Sequence, residues 1–132
     1  MKKILFILSL FGVAGLLIGC ATPGSLRENG PDLIFTMPQN TPQEFGNCLI
    51  TQLEKNFSRA DHTMRNKPNG DVSIYSKDMA GVVGEKLTLI FDISKTTDGS
   101  NISVYIAALS PIGIKSFVKE RLNACGAIEK KL

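Results

Sequence analysis

Few side chains in this chain have types and settings suited to chemistry: three cysteines, at positions 20, 48 and 125, and a single histidine, His62. A thiolate can be a nucleophile, a metal ligand or a disulfide partner, and imidazole is a base near neutral pH. Zinc draws on several His or Cys ligands, and no second histidine exists to complete such a site. Asp61 precedes His62 in "SRADHTMRN" and suggests a proton relay. Neighbours along a strand point to opposite faces, however, so the two would not cooperate. His62 therefore reads as a surface or loop residue. Carboxylates are scattered. Asp92 interrupts the apolar run "LTLIFDIS", where edge or solvent exposure accounts for it more simply than a catalytic pair. "AGVVGEK", residues 80–86, lacks the spacing and the Lys-Ser/Thr ending of a phosphate loop. The reading is a non-enzyme, with no catalytic residue, no metal site and no cofactor.

Cys20 stands at an abrupt change in composition. Residues 4–18, "ILFILSLFGVAGLLI", carry no charge and follow Met1-Lys2-Lys3, whereas "ATPGSLRENGP" after Cys20 is polar. A short basic start, an apolar run and small residues at the exit describe a secretory signal. The run falls short of the roughly 20 apolar residues that span a bilayer comfortably. A buried core helix or an uncleaved anchor fits the basic start and the seam less well.

Leu17-Ile18-Gly19-Cys20 resembles the lipobox of bacterial lipoprotein precursors, with an aliphatic residue three before the cysteine and a small one just before it. The resemblance implies a diacylglycerol on the Cys20 sulfur, cleavage between Gly19 and Cys20, and acylation of the new amino terminus. It also implies outer-membrane retention facing the periplasm, because Ala21 rather than Asp follows the cysteine. One acyl chain binds reversibly, while two or more hold a protein on the membrane. Removing Lys2 and Lys3 would lower the basic count from 15 to 13 against 12 acids, so the formal charge falls from +3 to +1. A nucleic-acid surface is not indicated.

With Cys20 assigned to lipid, Cys48 and Cys125 are an even pair in an exported chain. Thr41, Pro42 and Glu44 form a capping box with proline at the first helical position. In the helix that follows, Phe45, Cys48, Leu49, Leu53 and Phe57 share a stripe. Ser110-Pro111 marks a second start and Gly126 a plausible end, with Ile114, Phe117, Val118, Leu122 and Cys125 on one stripe. If the helices pack side by side, the cysteines can meet. The alternative is two small buried hydrophobes. A disulfide across 77 residues would contribute about 4 kcal/mol in the chain-entropy model.

The remaining elements place these helices. Residues 32–38, "DLIFTMP", predict a first strand, and "DVSIYSK", 71–77, alternates Val72 and Ile74 with Ser73 and Tyr75. "EKLTLIFDISK", 85–95, and "NISVYIAAL", 101–109, flank Asp98-Gly99 and predict a hairpin. "MAGVVG", 79–84, reads as a turn or bulge between strands. The expected fold class is α+β, a two-layer sandwich with an antiparallel sheet of about four strands and two helices on one face. The expected organisation is a signal peptide at 1–19, a lipidated cysteine and flexible tether at 20–31, and a periplasmic domain at 32–132.

This pattern is similar to small proteobacterial outer-membrane lipoproteins of unassigned function. Those combine a lipobox and tether with a helix reading Pro-Glu-x-x-x-x-Cys-Leu/Ile and a final helix ending in cysteine. Pro42, Cys48, Leu49 and Cys125 carry the likeness, although Gln43 separates Pro42 from Glu44. The likeness supplies no activity. Thr88, Ile90, Tyr105 and Leu109 lie on the sheet face away from the two helices, and they form a candidate interaction face. The alternative is that the tether or a loop folds over them. The leading reading is a lipid-anchored, non-enzymatic binding or accessory module that engages the membrane through its lipid and an envelope protein through its surface. An assembly lipoprotein of a secretion or pilus-type machine and a small-ligand carrier are the other readings.

Overall fold

The computed structural model describes residues 22–78, 86–108, 110 and 112–132. Along the chain it places α1 (Pro23–Glu28), β1 (Leu33–Pro38), α2 (Pro42–Asn56), β2 (Ala60–Asn66) and β3 (Val72–Asp78). Then come β4 (Lys86–Lys95), β5 (Gly99–Ile106), α3 (Ile114–Ala124) and β6 (Ile128–Lys130). The strands form one antiparallel sheet in the order β2-β3-β4-β5-β1-β6. The fold class is α+β, with a six-stranded sheet and three helices among the described residues.

Alternation along the central strands decides which face is buried under helices. Phe91 of β4 lies opposite Ile74 of β3 and Val104 of β5, and Ile93 opposite Val72 and Ile102. All six are almost completely buried. Phe45, Leu49 and Leu53 of α2 and Val118 and Leu122 of α3 join the same core cluster. Gly46 lets α2 come close to the sheet, since a Cβ there would press on Met64 and Val72.

Local signals explain the helix ends. Thr41 Oγ1 accepts from the Glu44 amide and the Glu44 carboxylate accepts from the Thr41 amide, the reciprocal box expected from "TPQE". α3 begins at Ile114 after Gly113, later than the Ser110-Pro111 signal suggests. Ser110 is used elsewhere: its hydroxyl donates to the Thr88 carbonyl at 3.3 Å. At the far end Gly126 takes a positive φ of 87°, the Ala127 amide donates to Leu122 and the Gly126 amide to Asn123. This double closure satisfies the last carbonyls of the helix.

Three elements were not expected. β2, "ADHTMRN", is polar because it is an edge strand, so it offers no apolar alternation to read. β6 is three exposed residues at the opposite edge, too short for a periodic signal. α1 lies within the expected flexible tether of 20–31, which from Thr22 onward is structured rather than free. The expected "MAGVVG" turn at 79–84 lies outside the described residues.

Candidate functional site

The hairpin of β4 and β5 and the neighbouring β3 present a second face, away from α2 and α3. Here Ser73 and Tyr75, Ile90 and Asp92, and Ser103 and Tyr105 stand in register across three strands, and Thr88 falls at the register shift beside Ser76 and Lys77. Their alternation with the core residues follows from the pleat. The expected interaction face is only partly accessible. Thr88 and Ile90 are buried, at 1% and 0% exposure, while Tyr105 is half-buried. Thr88 is also committed, its hydroxyl donating to the Ser76 carbonyl at 2.9 Å. Leu109 lies outside the described residues. The picture of an open, exposed sheet face is thus corrected at Thr88 and Ile90.

An N-terminal element docks on this same face. Thr22 and Ser25 cap α1 reciprocally, with Pro23 at its start, so "TPGS" repeats the device of "TPQE". No residue of α1 is buried. Its attachment is Arg27, whose Nε and Nη2 each donate to one Asp92 oxygen at 2.7 Å. The Arg27 Nη2 also reaches the Tyr75 hydroxyl at 3.3 Å, and the Ser73 hydroxyl donates to Asp92 at 2.7 Å. The guanidinium groups of Arg27 and Arg65 both stand over the Tyr75 ring, 5.7 and 5.4 Å from its centroid. Downstream, the Asp32 amide donates to Val104 and its carboxylate accepts from Ile106, fixing the chain where β1 begins.

The electrostatics follow from that geometry. Asp92 is 19% and Arg27 31% exposed, so water screens their pair only partly. Burial pushes the Asp92 carboxyl up, but the hydrogen bonds from Arg27 and Ser73 outweigh it and hold the group below its usual range. The Asp92 hydrogen bond raises the Arg27 guanidinium despite its desolvation. Burial likewise pushes the Tyr75 hydroxyl up, and the bond and charge of Arg27 together with the bond to Ser73 outweigh it and lower the group. Asp92 is therefore neither an edge residue nor simply solvated. It is an ionised group on a central strand that needs a cation.

His62 belongs to a separate cluster and is not in a loop. It lies half-buried on β2, with Nδ1 2.8 Å from the Ser76 hydroxyl and Nε2 3.0 Å from the Phe57 carbonyl. A carbonyl only accepts, so in the neutral ring Nε2 donates and Nδ1 accepts from Ser76. Ser76 is fully buried, which leaves no approach for a substrate to a Ser-His pair. The imidazole instead ties the edge strand to the end of α2. Among the described residues no group of three or more His, Cys, Asp or Glu could hold a metal.

Cys48 and Cys125 stand at disulfide distance, with sulfurs 2.04 Å and Cα atoms 5.9 Å apart. They come together because both inward stripes meet where α2 and α3 pack. Cys20 lies outside the described residues. Among those described, no helix is long and apolar enough to cross a membrane. Two open hollows measure about 250 Å³, beside the Thr96–Gly99 turn, and about 220 Å³, between Phe57, Ile112 and Phe117.

Arg27 is the residue that pattern reading misses. Its signal was present in two pieces: a capped start at Thr22-Pro23, and a carboxylate within an apolar strand that called for a partner. The chain matches no family model, no curated protein and no solved structure.

Proposed function

We propose that the protein is a lipoprotein of the bacterial cell envelope, anchored through Cys20 to the outer membrane on its periplasmic side. In this reading its domain is a non-enzymatic binding or accessory module. The observation that carries the reading is Leu17-Ile18-Gly19-Cys20 at the end of a charge-free run after two lysines. The cysteine geometry supports it: with Cys48 and Cys125 paired, Cys20 is the chain's remaining thiol. Thioether formation needs a nucleophilic sulfur, and an oxidising compartment suits a paired domain.

The mechanism is positioning. An anchor confines the domain to a surface and raises its effective concentration toward envelope proteins. Among the described residues, two hollows of about 250 and 220 Å³ fall below the roughly 300–1,000 Å³ of typical ligand sites.

The test is membrane flotation of the full-length protein and its Cys20→Ser variant in a bacterial host. The wild type is expected to float with outer-membrane vesicles and the variant to stay in the soluble periplasmic fraction. Equal flotation of both would reject the anchor.

A further inference from the structure

We propose that α1 is a latch that sets how far the domain stands from the membrane. The proposal rests on the lipid-anchor reading of Cys20. One residue, Ala21, separates Cys20 from Thr22, the cap of the docked helix. With α1 docked, two Cα steps join the lipid attachment point to structured protein, a reach of about 7 Å at 3.3–3.6 Å per residue. With α1 released, the chain is free as far as Asp32, where hydrogen bonds to Val104 and Ile106 fix it to the sheet. Twelve steps then reach about 40 Å when extended. One short element thus converts a long tether into a short leash.

Three observations make α1 a releasable unit. None of its six residues is fully buried, and only Leu26 and Arg27 are half-buried, so limited area holds it down. Helices this short are marginal in isolation, so the docked form depends on its tertiary contact. That contact is concentrated in one side chain, Arg27, whose two bonds to Asp92 and one to Tyr75 join the segment to β4 and β3. The cluster packed under α2 and α3 lies on the opposite face, so release need not disturb it.

The experiment compares wild type, Arg27→Ala and the double variant Arg27→Ala/Asp92→Asn, each full-length and lipidated. The double variant removes the link without stranding a carboxylate. Neutron reflectometry on a supported bilayer reads the height of the protein layer, and hydrogen exchange reads protection of residues 23–30. Expected for both variants is a layer displaced outward by roughly 10 Å, the difference in flexible-chain dimensions between two and twelve residues. Exchange at 23–30 should rise roughly fivefold to thirtyfold, the effect of losing partly exposed charge-assisted hydrogen bonds, with β4 and β5 unchanged. Wild-type protein that binds the bilayer while the variants show the same height and protection would overturn the latch and leave the anchor standing. Wild-type protein that fails to bind the bilayer would instead overturn the anchor, and the leash with it.

Discussion

On the helix-covered face of the sheet, Val72, Ile74, Phe91, Ile93, Ile102 and Val104 pack against α2 and α3 with almost no exposure. The other face places Ser73, Tyr75 and Asp92 under a six-residue helix that buries none of its own residues. The first face is held by area, spread over many side chains, and by one cysteine pair. On the second, the hydrogen-bonded contact of α1 runs through a few charge-assisted bonds centred on Arg27. Area-based adhesion yields only when the domain unfolds, whereas a point contact can open alone. The difference assigns stability to one face and adjustable attachment to the other.

The largest loss is expected from cutting into the first face. Phe91→Ala should lower unfolding free energy by about 3–5 kcal/mol, as large-to-small core changes do. Urea titration followed by circular dichroism measures it, and a loss below about 1 kcal/mol would mean the face is not the core. Next in size is the helix pair. Cys48→Ala/Cys125→Ala should cost about 2–4 kcal/mol through the 77-residue loop it opens. Mass spectrometry without reductant should find the two cysteines joined, and alkylation of both in the unreduced protein would reject the pairing.

Cutting the second face should matter less. Arg27→Ala is expected to cost about 1–2 kcal/mol, since both partners remain partly exposed. Arg27→Ala/Asp92→Asn should cost less than Arg27→Ala alone, because no carboxylate is left without its cation. A double variant worse than the single one would show that the bond is not what holds α1.

The smallest expected effect is a pH dependence. Asp92 is held below its usual carboxyl range in the fold, so its ionised form adds stability above the unfolded pKa, about 3.9. That contribution disappears as pH falls through the still lower folded value. The stability gap between wild type and Asp92→Asn should therefore narrow below about pH 4. A gap that stays constant down to pH 2 would show that the carboxylate's charge is not the contributing feature.

The same contrast explains what could be read from sequence. Apolar periodicity found the hairpin of β4 and β5, both long helices and the inward direction of Cys48 and Cys125, because area-based packing writes itself into many positions at once. The capping box at Thr41 was legible for the same local reason. β2 escaped notice because an edge strand stays polar, and β6 because three residues carry no period. The polar composition of residues 21–31 suggested a tether, and Arg27 joins Asp92 across 65 positions, a separation that no local pattern reports. Whether the second face was open or covered by the tether stayed undecided, because nothing in Thr88, Ile90 or Tyr105 says what lies above them. Asp92 was the one clue, a charge among apolar neighbours whose partner only the fold supplies.

Whether Cys20 carries lipid is read by intact-mass spectrometry of the full-length protein purified from bacterial membranes. The expected species is a chain beginning at Cys20 that carries the added mass of a diacylglycerol and an amide-linked acyl group. A chain retaining residues 1–19, or one beginning elsewhere with an unmodified Cys20, would contradict it.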